Sequence, residues 1–194
     1  MALASSPTTA AETWLEAFAA ALAGGDPHAV VGLFDPECFW RDLVAFTWNL
    51  RTEEGPEAIT AMLAARLADV APHAFALRGE AVESGGRIEA WFGFETRVGH
   101  CRGHMRLQDG RAWTLLTALD ELKGHEERVR ERRPAGAEHG VHPGRQSWAE
   151  RREAERQALG VTEQPDVLIV GGGQAGLTLA ARLRHLVSRP GNNS

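Results

Sequence analysis

A chain of 194 residues, 43% hydrophobic and 24% charged, has room for one domain of ordinary size and part of a second. Its net charge of −5 gives no electrostatic reason to expect nucleic acid as a partner. The two cysteines, Cys38 and Cys101, form no CxxC pair, which argues against a disulfide framework or a zinc knuckle and fits a reducing cytoplasm. No Lys or Arg precedes Arg41, so the charged start of a signal peptide is missing, and no apolar run reaches membrane-spanning length. A soluble, cytoplasmic protein is expected.

In chain order, Thr9 with Glu12 forms a possible capping box for a first helix, whose Trp14, Leu15, Phe18 and Leu22 share a face before Gly24-Gly25 ends it. Asp26-Pro27 starts a short second helix through Val30, Val31 and Phe34. A strand is expected near Phe39 to Trp48. Gly55-Pro56 then opens a third helix, with Ile59, Met62, Leu63, Leu67 and Val70 at helical spacing. Four strand-like runs follow, roughly His73–Val82, Arg87–Val98, His100–Gln108 and Arg111–Leu119, separated by glycine turns that include Asp109-Gly110. Alternation puts Ile88, Ala90, Phe92 and Phe94 on one face and Glu89, Trp91, Glu95 and Arg97 on the other. The apolar face should carry the helices, giving an α+β domain over residues 9–122.

Residues 123–164 read as a connector. Within 121–160 nine Lys or Arg oppose eight Glu, interrupted by Pro134-Ala135-Gly136 and His142-Pro143-Gly144, so a solvated, nearly neutral linker is expected. One piece of it, Ser147–Leu159, has the pattern of a short helix with Trp148 as its anchor, or else of a charged surface helix.

Residues 165–194 begin a second architecture. Val167 to Val170 is a β-branched run suited to a parallel strand, followed by Gly-Gly-Gly-Gln-Ala-Gly and the helix pattern Leu177, Leu179, Ala180, Leu183. Strand, glycine turn and helix together make a dinucleotide fingerprint: Gly171 for the tight turn, Gly173 for close approach to a pyrophosphate, Gly176 for helix packing. The phosphates would sit on free N–H groups at the positive end of that helix. The acidic residue that grips a ribose is expected about 20 residues on, yet the tail Arg184 to Ser194 holds neither Asp nor Glu. The expectation is an incomplete, truncated Rossmann-type unit.

Several side chains of the first domain could carry chemistry. Alternation sets Cys38, Trp40, Asp42, Val44, Phe46 and Trp48 on one side of their strand, so Asp42 is a carboxylate among aromatic rings. Burial there would suit a general base; the alternatives are a structural hydrogen bond or a pair with Arg41 or Arg51. His100 and His104 share a strand face but stand about 13 Å apart at the usual rise, too far to bind one ion. No metal is expected.

Three helices followed by an antiparallel meander, with the segment Phe39-Trp40-Arg41-Asp42-Leu43-Val44-Ala45-Phe46-Thr47-Trp48-Asn49-Leu50-Arg51-Thr52, resembles the NTF2-like or SnoaL-like cone fold over about Ala11–Leu122. Together with the later glycine motif, the chain resembles the N-terminal part of a flavin-containing monooxygenase that carries an NTF2-like domain ahead of its FAD domain. A Trp-x-x-Arg-Arg segment like that at Trp148 precedes the FAD strand in that family.

The resemblance implies an NADPH- and FAD-dependent oxidoreductase that oxygenates a small organic substrate, with FAD contacts at Gly171, Gly172, Gly173, Gln174, Ala175 and Gly176. The NADPH fingerprint is missing, and no catalytic residue can be named. NTF2-like isomerases pair an aspartate with a tyrosine, and this chain contains no tyrosine. The alternative is a stand-alone NTF2-like small-molecule binding or dimerisation module. Its pocket would be lined by Trp40, Phe75, Phe92, Phe94 and Met105, with Leu77 and Ile88 and with Asp42 as the polar group. Sheets of this fold type pair through their outer face, which makes Trp91 and Trp113 candidates for a homodimer contact.

Overall fold

A computed structural model describes residues 6–127, 146–165 and 167–187, and the chain divides into two units, Met1–Glu126 and Glu127–Ser194. The division falls just past the expected domain end at Leu122. Both Pro/Gly interruptions of the expected linker, Asp166 and the tail after Val187 lie outside the described residues.

In the first unit, α1 (Pro7–Ala23) starts earlier than the Thr9 and Glu12 pattern suggests. Ser6 is the cap: its hydroxyl accepts the Thr9 N–H at 3.1 Å, and Pro7 stands at the first helical position, where a missing N–H costs nothing. The stripe Ala11, Trp14, Leu15, Phe18 and Leu22 is buried. In α2 (Pro27–Val31), Asp26 caps by accepting the His28 N–H at 2.9 Å. The longer α3 (Gly55–Val70) buries Ile59, Met62, Leu63, Leu67 and Val70, the face its spacing predicts.

Seven strands make one sheet: β1 (Phe34–Leu43), β2 (Leu50–Glu54), β3 (His73–Leu77), β4 (Val82–Ser84), β5 (Arg87–Glu95), β6 (Gly99–Gln108) and β7 (Arg111–Leu122). The order is β2-β1-β7-β6-β5-β3, with β4 also on β5. All pairs are antiparallel except β1 and β7, which run parallel. Bulges between Phe34 and Phe39, His73 and Ala76, His100 and Cys101, and Arg106 and Leu107 bend the strands. The helices fill the concave side, and Ala90, Phe92 and Phe94 point into it with Cys101, Met105, Leu107 and Leu115. This is the α+β architecture with a curved sheet that the element order predicts.

Two strand expectations need correction. The run His73–Val82 is two strands, because the chain leaves the ladder between Leu77 and Val82. The strand expected through Trp48 ends at Leu43: Val44 and Trp48 take left-handed φ of 68° and 54°, which turn the chain out of the ladder until β2 begins at Leu50.

In the second unit, α4 (Trp148–Ala158) opens on a capping box between Ser147 and Glu150. It buries no residue, and Trp148 is 67% exposed under the Arg152 guanidinium rather than serving as an anchor. Val167 to Val170 is not a strand; Leu168 and Val170 are 81% and 92% exposed, since no neighbouring strand pairs with them among the described residues. The helix α5 (Gln174–Val187) follows the glycine turn. Among the described residues no helix is long and apolar enough to cross a membrane.

Candidate functional site

The parallel pairing of β1 with β7 decides what surrounds Asp42. Its register sets Trp40 beside Leu115 and Asp42 beside Thr117, with Trp40, Asp42 and Thr117 all buried. The Trp40 indole N–H donates to Thr117 Oγ1 at 2.8 Å, and the Thr117 hydroxyl donates to Asp42 Oδ1 at 2.7 Å. From the other side the loop 44–49 closes in. The Phe46 N–H is shared between both carboxylate oxygens at 3.1 Å, while the Thr47 N–H and hydroxyl reach Oδ2 at 2.8 and 2.7 Å. A carboxylate offers about four lone-pair sites. Four donors therefore occupy Asp42 completely, and none of its lone pairs remains for a substrate proton.

The expected partners lie elsewhere. Arg41 donates to Thr52 Oγ1 at 2.7 Å, and Arg51 pairs with buried Glu53 at 3.0 Å. Thr47, Thr117 and Glu53 were not singled out from the sequence. Thr117 carried a readable signal, as a lone hydroxyl at an inward position between Leu115 and Leu119.

Trp40, Phe75, Phe92, Phe94 and Met105 do come together inside the curved sheet, buried except for partly exposed Phe75. Ring packs on ring there: Trp40 stacks on Phe34 at 5.8 Å and meets Phe18 and Phe46 edgewise or tilted, and Phe75 stacks on Phe94 at 5.2 Å. Phe94 also borders a groove of about 240 Å³ with Arg78, Gly93, Glu95 and His100. A second groove, about 510 Å³, runs along α3 and is lined by Leu22, Leu63, Leu67 and small residues.

The loop that brings Phe46 inward is strained. A left-handed φ at a β-branched residue such as Val44 costs on the order of 1–3 kcal/mol, and it persists because the three loop donors on Asp42, from Phe46 and Thr47, over-determine the loop. The Val44 N–H closes its neck on the Asn49 carbonyl at 3.0 Å.

The outer sheet face is polar with aromatic islands. One row across β5, β6 and β7 reads Trp91, His104, Leu116; the next reads Glu89, Arg106, Thr114 and, on β1, Phe39. Trp91 is 47% and Phe39 38% exposed. Trp113 sits at a bulge, half-buried beneath the Arg87 guanidinium at 4.1 Å. His104 lies against the Trp91 ring at 4.5 Å and faces Glu89; burial pushes its pKa down, against the pull of that carboxylate. His100 faces Glu95 and Glu126 instead. Lys123, bonded at 2.8 Å, holds the Glu95 carboxyl below the usual range. Cys101 is pushed up to about 12 by burial and Cys38 is raised by the same cause, so neither is a nucleophile at neutral pH.

In the second unit the expected helix follows the glycine turn, whereas the expected strand before it is not formed. Gly171 takes φ 111°, and a Cβ on Gly176 would run into the Gly171 carbonyl oxygen, so helix and turn approach as only glycine allows. Gly172 and Gly173 face open space, and Gln174 and Ala175 border an open groove along α5.

No family model and no curated relative matches the chain. Solved structures do resemble it in fold. An NTF2-like protein of unknown function from Cytophaga hutchinsonii is 13% identical, with 62% of this chain and 95% of that one covered and a TM-score of 0.40. An NTF2-like protein with a cystatin-like fold from Novosphingobium aromaticivorans is 16% identical, covering 55% and 77%, at 0.44. A protein of unknown function from Mycobacterium tuberculosis is 14% identical, covering 59% and 72%, at 0.47. At these identities and scores they say nothing of activity.

Proposed function

We propose that this chain works through its first unit, as an NTF2-like module for small-molecule binding or dimerisation without catalytic activity. The occupancy of Asp42 carries this reading: the carboxylate best placed to act as a base spends every acceptor site on holding β1, β7 and the loop 44–49 together. A second copy of the chain would meet the outer sheet face, where Trp91 and Phe39 expose apolar surface among paired charges. Sedimentation of the full chain and of Trp91→Glu tests this. A concentration-dependent dimer that the substitution dissociates is expected, and a monomeric parent chain would remove the dimerisation reading.

A second reading has one observation in its favour, the close approach of Gly176 to Gly171. On it, the chain is a piece of an FAD- and NADPH-dependent monooxygenase. Gly171 to Gly176 would then cradle the FAD pyrophosphate on free N–H groups, and the flavin would supply the oxygen chemistry. Flavin absorbance in the purified protein, or fluorescence quenching of added FAD, separates the readings; a colourless protein that leaves FAD fluorescence unchanged counts against this one.

A further inference from the structure

The loop 44–49 is tied to the rest of the first unit mainly through the Asp42 carboxylate and the Phe46 ring, beside the Val44–Asn49 bond at its neck. Leu43 pairs with Leu50 at its neck, so the strands on either side are fixed, whereas the loop reaches its position through left-handed backbone at Val44 and Trp48. Between those two points it drives Phe46 into the interior, 1% exposed, with its ring 5.0 Å from Trp40 and 6.0 Å from Phe94. Two residues later Trp48 is 57% exposed. A loop of six residues thus puts one aromatic ring in the core and leaves the other in solvent.

We propose that this loop is a hinged plug: Phe46 occupies the seat of a flat, uncharged aromatic ligand, and the loop swings about Val44 and Trp48 to admit one. The ligand's chemistry follows from what opening exposes. When Phe46 leaves, the walls offered are the faces and edges of Trp40 and Phe94, which favour a ring of similar size. When Phe46 and Thr47 leave, Asp42 keeps only the Thr117 hydroxyl and loses its other donors. A buried carboxylate stripped of donors is costly, so the ligand must bring an N–H or O–H beside its ring, as an indole or a phenol does. The strain at Val44 favours opening and the donors on Asp42 oppose it. This inference rests on the binding reading above but not on dimerisation, so its failure and a monomeric result in sedimentation are separate outcomes.

The test on the unaltered full chain is amide hydrogen exchange at Phe46 and Thr47, whose N–H groups both end on Asp42. A plug opens without the rest of the sheet, so these two amides should exchange at least about tenfold faster than those of β6 and β7, in keeping with local opening below the global free energy. Val44→Asn, which tolerates the left-handed backbone, should slow them. Exchange of Phe46 and Thr47 only together with the β6 and β7 amides would overturn the proposal.

The seat itself is probed with Phe46→Ala, which removes the ring and keeps the loop's backbone donors. Indole added to this variant should raise its melting temperature progressively with ligand concentration and broaden the ligand's own NMR signals. If Phe46→Ala melts cooperatively and neither indole nor toluene binds up to its solubility, the seat is not a ligand site. Should that variant fail to fold, Phe46→Leu takes its place with the same two probes, and the exchange result decides the hinge in either case.

Discussion

Two apolar β-type runs in this chain end in opposite surroundings. Ile88 to Phe94 in β5 is paired on both sides, by β6 along its length and by β3 and β4 on the other edge, and Ala90, Phe92 and Phe94 are buried beneath helices. Val167 to Val170 is at least as β-branched, yet among the described residues it has no strand partner, and Val167, Leu168 and Val170 stand exposed. Propensity is alike in the two. What differs is whether neighbouring strands satisfy the backbone N–H and C=O groups and a second layer covers the side chains. A strand is thus a property of the sheet that receives it, and not of the run alone.

The largest way to break this contrast is to truncate the same kind of residue in each run. Phe92→Ala empties a fully buried site in contact with Phe75 and Phe94 and should cost about 3–5 kcal/mol, enough to bring a small domain near unfolding. Leu168→Ala removes a side chain that is 81% exposed and should change stability by no more than about 0.5 kcal/mol. Denaturant unfolding followed by tryptophan fluorescence measures both. Equal losses would mean that Val167 to Val170 is packed as β5 is, and the contrast would fall.

Glycines sharpen it at smaller cost. Gly103 lies directly opposite Phe92 in the β5 and β6 ladder, and a Cβ there would land on the Phe92 ring. Gly103→Ala should therefore destabilise by about 1–3 kcal/mol through overpacking. Gly173 meets nothing within 4 Å, so Gly173→Ala should leave the melting temperature almost unchanged. The two substitutions are chemically identical, and a comparable loss from both would show that the turn is packed as closely as the sheet.

The helices were legible because each has a clear stop or start, Gly24-Gly25, Asp26-Pro27 and Gly55-Pro56, and a single apolar stripe that its packing then uses. The faces of β5 were legible from alternation. The loop 44–49 was not, because period-two spacing continued through Val44, Phe46 and Trp48 while the backbone did not. Only the donors gathered on Asp42 reveal why a β-branched valine sits at φ 68°. The surroundings of Asp42 were half legible: its company of aromatic rings followed from the sequence, but Thr117 comes to it through a parallel register between residues 75 positions apart, which no local pattern encodes. Around the glycine turn the helix α5 was legible, since its pattern is local, but the strand read at Val167 to Val170 was not, since a strand needs neighbours that no local pattern supplies.

The smallest expected effect concerns pH, and it separates the two units by where each responds. His104 is held neutral by burial against Trp91, with a pKa below the ordinary 6.5. A depressed histidine pKa means that the unfolded chain binds the proton first. The contribution of His104 is then fully present above about 6.5 and is lost as pH falls from there through the folded value. In α4 the Ser147 backbone N–H and hydroxyl hold Glu150 below the ordinary 4.5, so its contribution is present above that value and is lost only as pH falls through the lower folded one. Acidification should therefore lower the melting temperature of the first unit slightly before the helicity of α4 responds. His104→Gln should flatten the first slope and leave the second, and Glu150→Gln the reverse. Melting curves and helical circular dichroism recorded along one pH series read both, and a slope at His104 that survives the substitution would assign it to another group on the outer sheet face.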